Sequence, residues 1–162
     1  MRAPFQIDAM AYTDIPAALR MQDATQLDVE QLRDELGRPW SRTWVARERA
    51  DDVVALLVAW HVADELHVLN VATRSDRRRR GAARSLLEAM LAYAREKRVR
   101  HVLLEVRRSN GGAIALYRGV GFFAMGIRAR YYPDDEDAVE MALALDAETG
   151  AVIVRDDEVR VE

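Results

Sequence analysis

The chain has 162 residues, half of them apolar, which suits one folded domain with a true core. Its formal net charge is -3, so the chain as a whole lacks the charge of a nucleic-acid binder, and any anion site must be local. With no cysteine, disulfides, thiolate metal sites and cysteine nucleophiles are excluded; His61, His67 and His101 lack the spacing of a metal motif, so no metal is expected.

The opening "MRAPFQIDAM" is too short and too polar for a signal peptide. No later stretch reaches the roughly 20 apolar residues of a membrane span, so a cytoplasmic protein is expected. "FQIDAM", residues 5–10, alternates weakly as a first strand. In "TDIPAALRMQDA", Thr13 or Asp14 can cap a helix and Pro16 fits its first turn. "DVEQLRDELG" predicts a second helix, opened by Asp28, with Val29, Leu32 and Leu36 on one face and Gly37 at its end. "TWVARER" and "VVALLVAWHVA" read as strands around a turn at Ala50-Asp51-Asp52, the second so apolar that both faces must be covered. Ala63-Asp64 turns into a further strand, "ELHVLNVAT".

A polar loop follows at 74–80, then Leu86, Leu87, Met90, Leu91 and Ala94 recur at helical spacing. "HVLLEV" is a short strand, and "SNGGAIALYRGVGF" holds a helix capped near Ser109 or Asn110 and ending by 119–121. "FFAMGIRARYY" and "DAVEMALAL" read as two last strands around a turn at Pro133-Asp134-Asp135. This order predicts a mixed α+β fold. Residues 1–146 read as the domain and 147–162 as a tail, in which "AVIV" and "VRVE" flank a polar stretch and suit a small hairpin.

The run "RRRRGAA" at 77–83 stands between a strand and a helix. A helix start offers unpaired N–H groups and the positive end of the dipole, and a glycine lets phosphate approach the backbone. The neighbouring arginines can pair with further phosphates. Alone, this pattern also fits a solvated basic loop. The ending of a Walker A loop and the three glycines of a dinucleotide fingerprint are both absent.

Strand, Arg78-x-x-Gly81-x-Ala83, amphipathic helix, strand and "SNGGAIALYRGVGF", in that order, resemble the GNAT acetyltransferase superfamily. "LNVATRSDRRRRGAARSLLEAM", "LLEVRRSNGGAIALYRGVGF" and "IRARYYPDDEDAVEMAL" resemble its RimI branch, the ribosomal-protein-alanine N-acetyltransferases. The resemblance implies a GNAT fold, a mostly antiparallel mixed sheet of about seven strands flanked by about four helices. It implies acetyl-CoA as cosubstrate and a protein or peptide N-terminus as acceptor, a ribosomal protein among the candidates. The coenzyme would meet Val71, Ala72, Thr73, Arg78, Arg79, Arg80, Gly81, Ala82, Ala83, Arg84, Asn110 and Tyr117.

Acetylating an amine requires a base for the nitrogen, a polarised thioester carbonyl and a proton for the leaving thiolate. A carboxylate on an apolar strand, as at Glu105, is either paired or poised as a base. A tyrosine phenol, of ordinary pKa about 10, can supply the proton. The resemblance makes Glu105 the base and Tyr117 the acid, and assigns carbonyl polarisation to backbone N–H groups near Val71. It places the acceptor against Asn70, Glu105, Tyr131 and Tyr132. As neighbours on one strand, the two tyrosines would face opposite ways. Asn110 also serves simply as an N-cap.

RimI-like proteins usually carry a longer Phe/Pro/Trp-containing loop where this chain has "MQDATQLDVEQL", and alanines where it has Gly111-Gly112. An α-amine, of pKa about 8 against about 10.4 for lysine, is partly neutral at neutral pH and suits a modest base. A small amine or a lysine as acceptor, or an acyl-CoA-binding module without turnover, stays open beside the N-terminal reading. Edge strands and the tail leave a homodimer open. A nucleic-acid partner rests on the arginine run alone.

Overall fold

The computed structural model describes residues 5–21, 27–49 and 52–162. Strands β1 (Gln6–Ala9), β2 (Ser41–Arg47), β3 (Val53–Val62), β4 (Glu65–Thr73), β5 (His101–Arg107), β6 (Phe123–Arg128), β7 (Ala138–Leu145) and β8 (Val152–Ile153) alternate with helices α1 (Ile15–Leu19), α2 (Val29–Gly37), α3 (Ala82–Glu96) and α4 (Gly111–Val120). The strands form one mixed sheet in the order β1-β2-β3-β4-β5-β7-β6, with β8 on β7. The chain divides into two compact units, Met1–His61 with Val68–Ala92, and Val62–His67 with Tyr93–Glu162.

In the first unit, β1, β2 and β3 pair antiparallel, Ile7 against Ala46 and Val45 against Leu56. Residues 53–59 of β3 are buried without interruption, as the apolar run required. Ile15, Ala18, Met21 and Leu32 of the helical layer pack on Val45, Leu56, Val58 and Ala72. α2 starts as predicted: Asp28 accepts from the Gln31 N–H at 2.9 Å, and the Gln31 side chain accepts from the Asp28 N–H at 2.9 Å. Asp14 behaves differently from the expected helix cap. It closes a 3-10 turn (Tyr12–Asp14) by accepting from the Ala11 N–H, and it takes both Nη atoms of Arg47 at 2.8 and 2.9 Å. A buried carboxylate gains more from a guanidinium than from a second N–H. The expected turn at Ala50-Asp51-Asp52 lies mostly outside the described residues.

In the second unit, residues 65–67 of β4 run parallel to 101–103 of β5. β5, β7 and β6 pair antiparallel, Glu105 opposite Glu140 and Glu140 opposite Gly126. α4 is capped by Asn110, whose Oδ1 accepts from the Ala113 N–H at 3.1 Å, and ends at Gly121, φ 123°.

Two expectations are corrected here. "AVIV" and "VRVE" do not pair with each other. Asp146 accepts from the Glu148 and Thr149 N–H groups, Gly150 turns at φ 73°, and Val152 and Ile153 fold back onto Leu145 and Ala144. The hairpin turn is therefore "DAETG", and its partner strand is β7. Tyr131 and Tyr132 also lie off any strand. β6 ends at Arg128, and Arg130 takes φ 54°, its N–H held by Asp137, which breaks the extended run.

Candidate active site

The arginine loop leaves β4 through a short 3-10 turn (Ser75–Arg77) and enters α3. Gly81 adopts φ 90°, has open space where a Cβ would stand, and its carbonyl accepts the first helical bond from Ser85 at 2.9 Å. Only a glycine sits there without strain, and the backbone behind it is approachable. Arg79 is also left-handed, at φ 62°. The four arginines of the run are not equivalent. Arg77 donates to Glu48 at 3.0 Å and to Asp76, and Arg80 stands 3.8 Å from Glu48. Arg78 and Arg79 form no ion pair among the described residues. Arg84 pairs with Glu88 one turn on. Two guanidiniums with no ion pair among the described residues, next to the anchored Arg77 at a helix start, are a fit for a pyrophosphate.

Upstream on β4, Val71 and Thr73 are half-buried and Ala72 is buried in the first unit's core. Among the described residues, the buried Oδ1 of Asn70 has no hydrogen-bond partner, nor has Thr43 Oγ1 on β2. Buried polar atoms are nearly always paired, so Asn70 keeps an acceptor in reserve.

The second unit brings Glu105, Tyr117, Tyr131 and Tyr132 together. On β5, Val102, Leu104 and Val106 are buried and Glu105 is exposed. Its carboxylate makes no hydrogen bond or ion pair among the described residues. The salt bridge that would have made it merely structural is not formed. The nearby Arg128 gives its Nε to Glu140 instead, at 3.1 Å. Tyr117, on α4, is 8% exposed and packs its ring against Phe122 at 5.7 Å. Burial, helped by Tyr132, pushes its phenol up to about 12, so it stays protonated at any physiological pH. Tyr132 is raised as well, by burial first; Arg107 pulls the other way. Tyr131 and Tyr132 meet edge to face at 5.1 Å.

Arg107 and Arg128 were missed by the sequence reading. Arg107 lies two residues from Glu105 on β5, hence on the same face, and that alternation was the available signal.

The model of the acetyltransferase (GNAT) family matches residues 9–122. The chain belongs to the GNAT acetyltransferase family. Within this family it is similar to the [ribosomal protein bS18]-alanine N-acetyltransferase of Salmonella typhimurium, at 35% identity over 143 residues, 86% of this chain and 97% of that one. The crystal structure of the ribosomal-protein-S18-alanine N-acetyltransferase from Escherichia coli superposes with a TM-score of 0.78 at 30% identity, covering 95% of this chain and 97% of the other. Ard1 from Thermoplasma volcanium shares the fold, with a TM-score of 0.77 at 24% identity over 94% of this chain and 99% of that one. This GNAT chain is therefore a RimI-like N-acetyltransferase. Among the described residues no helix is long and apolar enough to cross a membrane.

Proposed function

We propose that this GNAT transfers the acetyl group of acetyl-CoA to the N-terminal α-amine of a protein, with alanine as first residue and a ribosomal protein as the physiological class of acceptor. The observation that carries the chemistry is that Glu105, without a hydrogen bond or ion pair among the described residues, stands in electrostatic reach of Tyr132, which in turn reaches the buried, protonated Tyr117. The acceptor class comes from the relatives, which act on the alanine of ribosomal protein bS18.

In this reading Gly81, the start of α3 and the guanidiniums of Arg78 and Arg79 hold the pyrophosphate, with Arg80, Ala82, Ala83 and Arg84 around it. Acetyl-CoA supplies the activated acyl group. Backbone N–H groups at Val71, Ala72 and Thr73 polarise the thioester carbonyl. Glu105, directly or through one water, takes the proton from the attacking amine. As the C–N bond forms and the C–S bond breaks, Tyr117 gives its proton to the sulfur. Asn110 holds the first turn of α4, and with it Tyr117, in place. Asn70, Tyr131 and Tyr132 line the acceptor.

The test is thiol release from acetyl-CoA with short peptides varied at the first residue, an N-blocked peptide with one lysine, and polyamines. Turnover on free α-amines, alanine or serine first, is expected. Glu105→Gln should lower kcat about 100-fold or more while the KM for acetyl-CoA stays within about twofold. Turnover on lysine or polyamines alone would reassign the acceptor, and equal loss in kcat and coenzyme affinity would return Glu105 to a structural role.

A further inference from the structure

Arg107 and Arg128 share one arrangement in the second unit. Each guanidinium has a carboxylate on one side and a tyrosine ring on the other. Arg107 Nη1 donates to Asp134 at 3.0 Å and to Glu136 at 3.0 Å, and its guanidinium carbon stands 4.1 Å from the centre of the Tyr132 ring. Arg128 Nε donates to Glu140 at 3.1 Å, and its guanidinium carbon stands 5.6 Å from the centre of the Tyr131 ring. The two rings meet each other at 5.1 Å. The chain is thus held in a closed circuit from β5 through the tyrosine pair to β6 and β7.

Outside this circuit the ends of the loop are held at Asp137, which accepts from the Arg130 N–H and from Arg108 Nη1, each at 3.1 Å. The loop's own backbone bonds are short-range, from the Tyr132 N–H to the Glu136 carbonyl and from the Asp135 N–H to the Tyr132 carbonyl. Tyr131 is 46% exposed, so packing alone does not set its rotamer. Glu136 also accepts from the Ser109 N–H at 3.0 Å, which ties the same circuit to the start of α4. A planar guanidinium can face a ring and fork onto carboxylates at once; an ammonium cannot.

We propose that Arg107 and Arg128 are positioning residues for the acceptor peptide, acting by holding Tyr132 and Tyr131 in the orientation that receives it. This rests on the reading that the two tyrosines line the acceptor. Neither arginine touches the reacting atoms. Loss of Arg107 therefore acts on acceptor affinity and leaves the chemical step and the coenzyme site as they are, whereas Arg128 also stands in the field of Glu105, so its loss is read on the peptide KM alone.

The experiment is steady-state kinetics on the full chain with an alanine-first peptide, for Arg107→Met, Arg107→Lys, Arg128→Met, Tyr132→Ala and the double variant Arg107→Met/Tyr132→Ala. Arg107→Met should raise the peptide KM about tenfold, with kcat and the KM for acetyl-CoA within twofold. Arg107→Lys should recover only part of the loss, because charge is kept and the planar stack is not. The double variant should be no worse than Tyr132→Ala, since Arg107 acts through that ring. Arg128→Met should raise the peptide KM in the same sense and serves if Arg107→Met does not fold. Full additivity in the double variant, or a fall in kcat matching the rise in KM, overturns the proposal. If Tyr132→Ala raises the KM and both arginine variants are silent, the positioning role alone fails. If Tyr132→Ala leaves the KM unchanged, the acceptor reading fails and takes the proposal with it.

Discussion

Burial gives Tyr117 a property its sequence position does not show. Its folded pKa, about 12, lies above the ordinary value near 10, because the charged phenolate is poorly solvated there. A raised value means the folded state holds the proton longer than the unfolded state. The stability linked to it is therefore complete below pH about 10 and is lost as pH rises from about 10 to about 12. Denaturant titrations across that window should show Tyr117→Phe shedding up to about 3 kcal/mol of the alkaline loss. The same substitution keeps the packing on Phe122 and removes the proton, so kcat should fall at pH 7 while the fold persists. Wild-type kcat in Tyr117→Phe would end its assignment as the acid. Glu105 is an exposed carboxylate with no hydrogen bond or ion pair among the described residues, while Glu140, across the strand pair, is taken by Arg128.

At the scale of elements, the start of α3 divides the arginine run by role. Arg77 is bound by Glu48 and Asp76, which fixes the loop, while Arg78 and Arg79 form no ion pair among the described residues. Charge-assisted hydrogen bonds contribute about 1.5–3 kcal/mol each. Arg78→Gln with Arg79→Gln should raise the KM for acetyl-CoA by about tenfold or more and leave the melting temperature unchanged. Arg77→Gln should instead lower the melting temperature. Equal coenzyme KM in the double variant and the parent chain would remove both from the pyrophosphate site. α4 shows a departure of another kind. Gly111 and Gly112 have open space where a Cβ would stand and neither is left-handed, so neither space nor strain requires glycine. Replacing both by alanine should stabilise the chain by about 0.4–1 kcal/mol per site, read in denaturant titrations.

Across the whole chain, the tail is tied into the second unit. Val152 lies so close to Gly121 that a Cβ there would stand 2.8 Å from Cγ1 of Val152, so the end of α4 must be glycine for β8 to dock. Beyond β8, Asp157 takes the Ala124 N–H and Arg118, and Arg155 stands 4.8 Å from the centre of the Phe123 ring. Arg108 donates to the Val161 carbonyl at 2.7 Å and to Asp137, next to the loop that carries the tyrosines. Removing residues 154–162 exposes the pocket of the buried Val161 and should destabilise the chain by about 1–3 kcal/mol, measured by thermal or denaturant unfolding. An unchanged melting temperature in the truncated chain would show that these contacts contribute nothing.

Periodicity, capping and punctuation act locally, and what depends on them was readable in the sequence. β4 runs over "ELHVLNVAT" as predicted, α2 starts at Asp28, Asn110 caps α4, and the glycine of the arginine run stands at the start of α3. The resemblance carried by "RRRRGAA" and "SNGGAIALYRGVGF" led to the family in the same way, since those residues are neighbours in the chain. The tertiary structure alone decided which partners distant residues took. Asp14 left its helix for Arg47, 33 residues away, and "AVIV" went to β7 instead of "VRVE". Arg130 turned the tyrosines off their strand, and Arg107 reached Asp134 and Tyr132 across 25 residues or more. Such pairings depend on the three-dimensional position of a charge and on how far it is withdrawn from water, and neither is set by a residue's sequence neighbours.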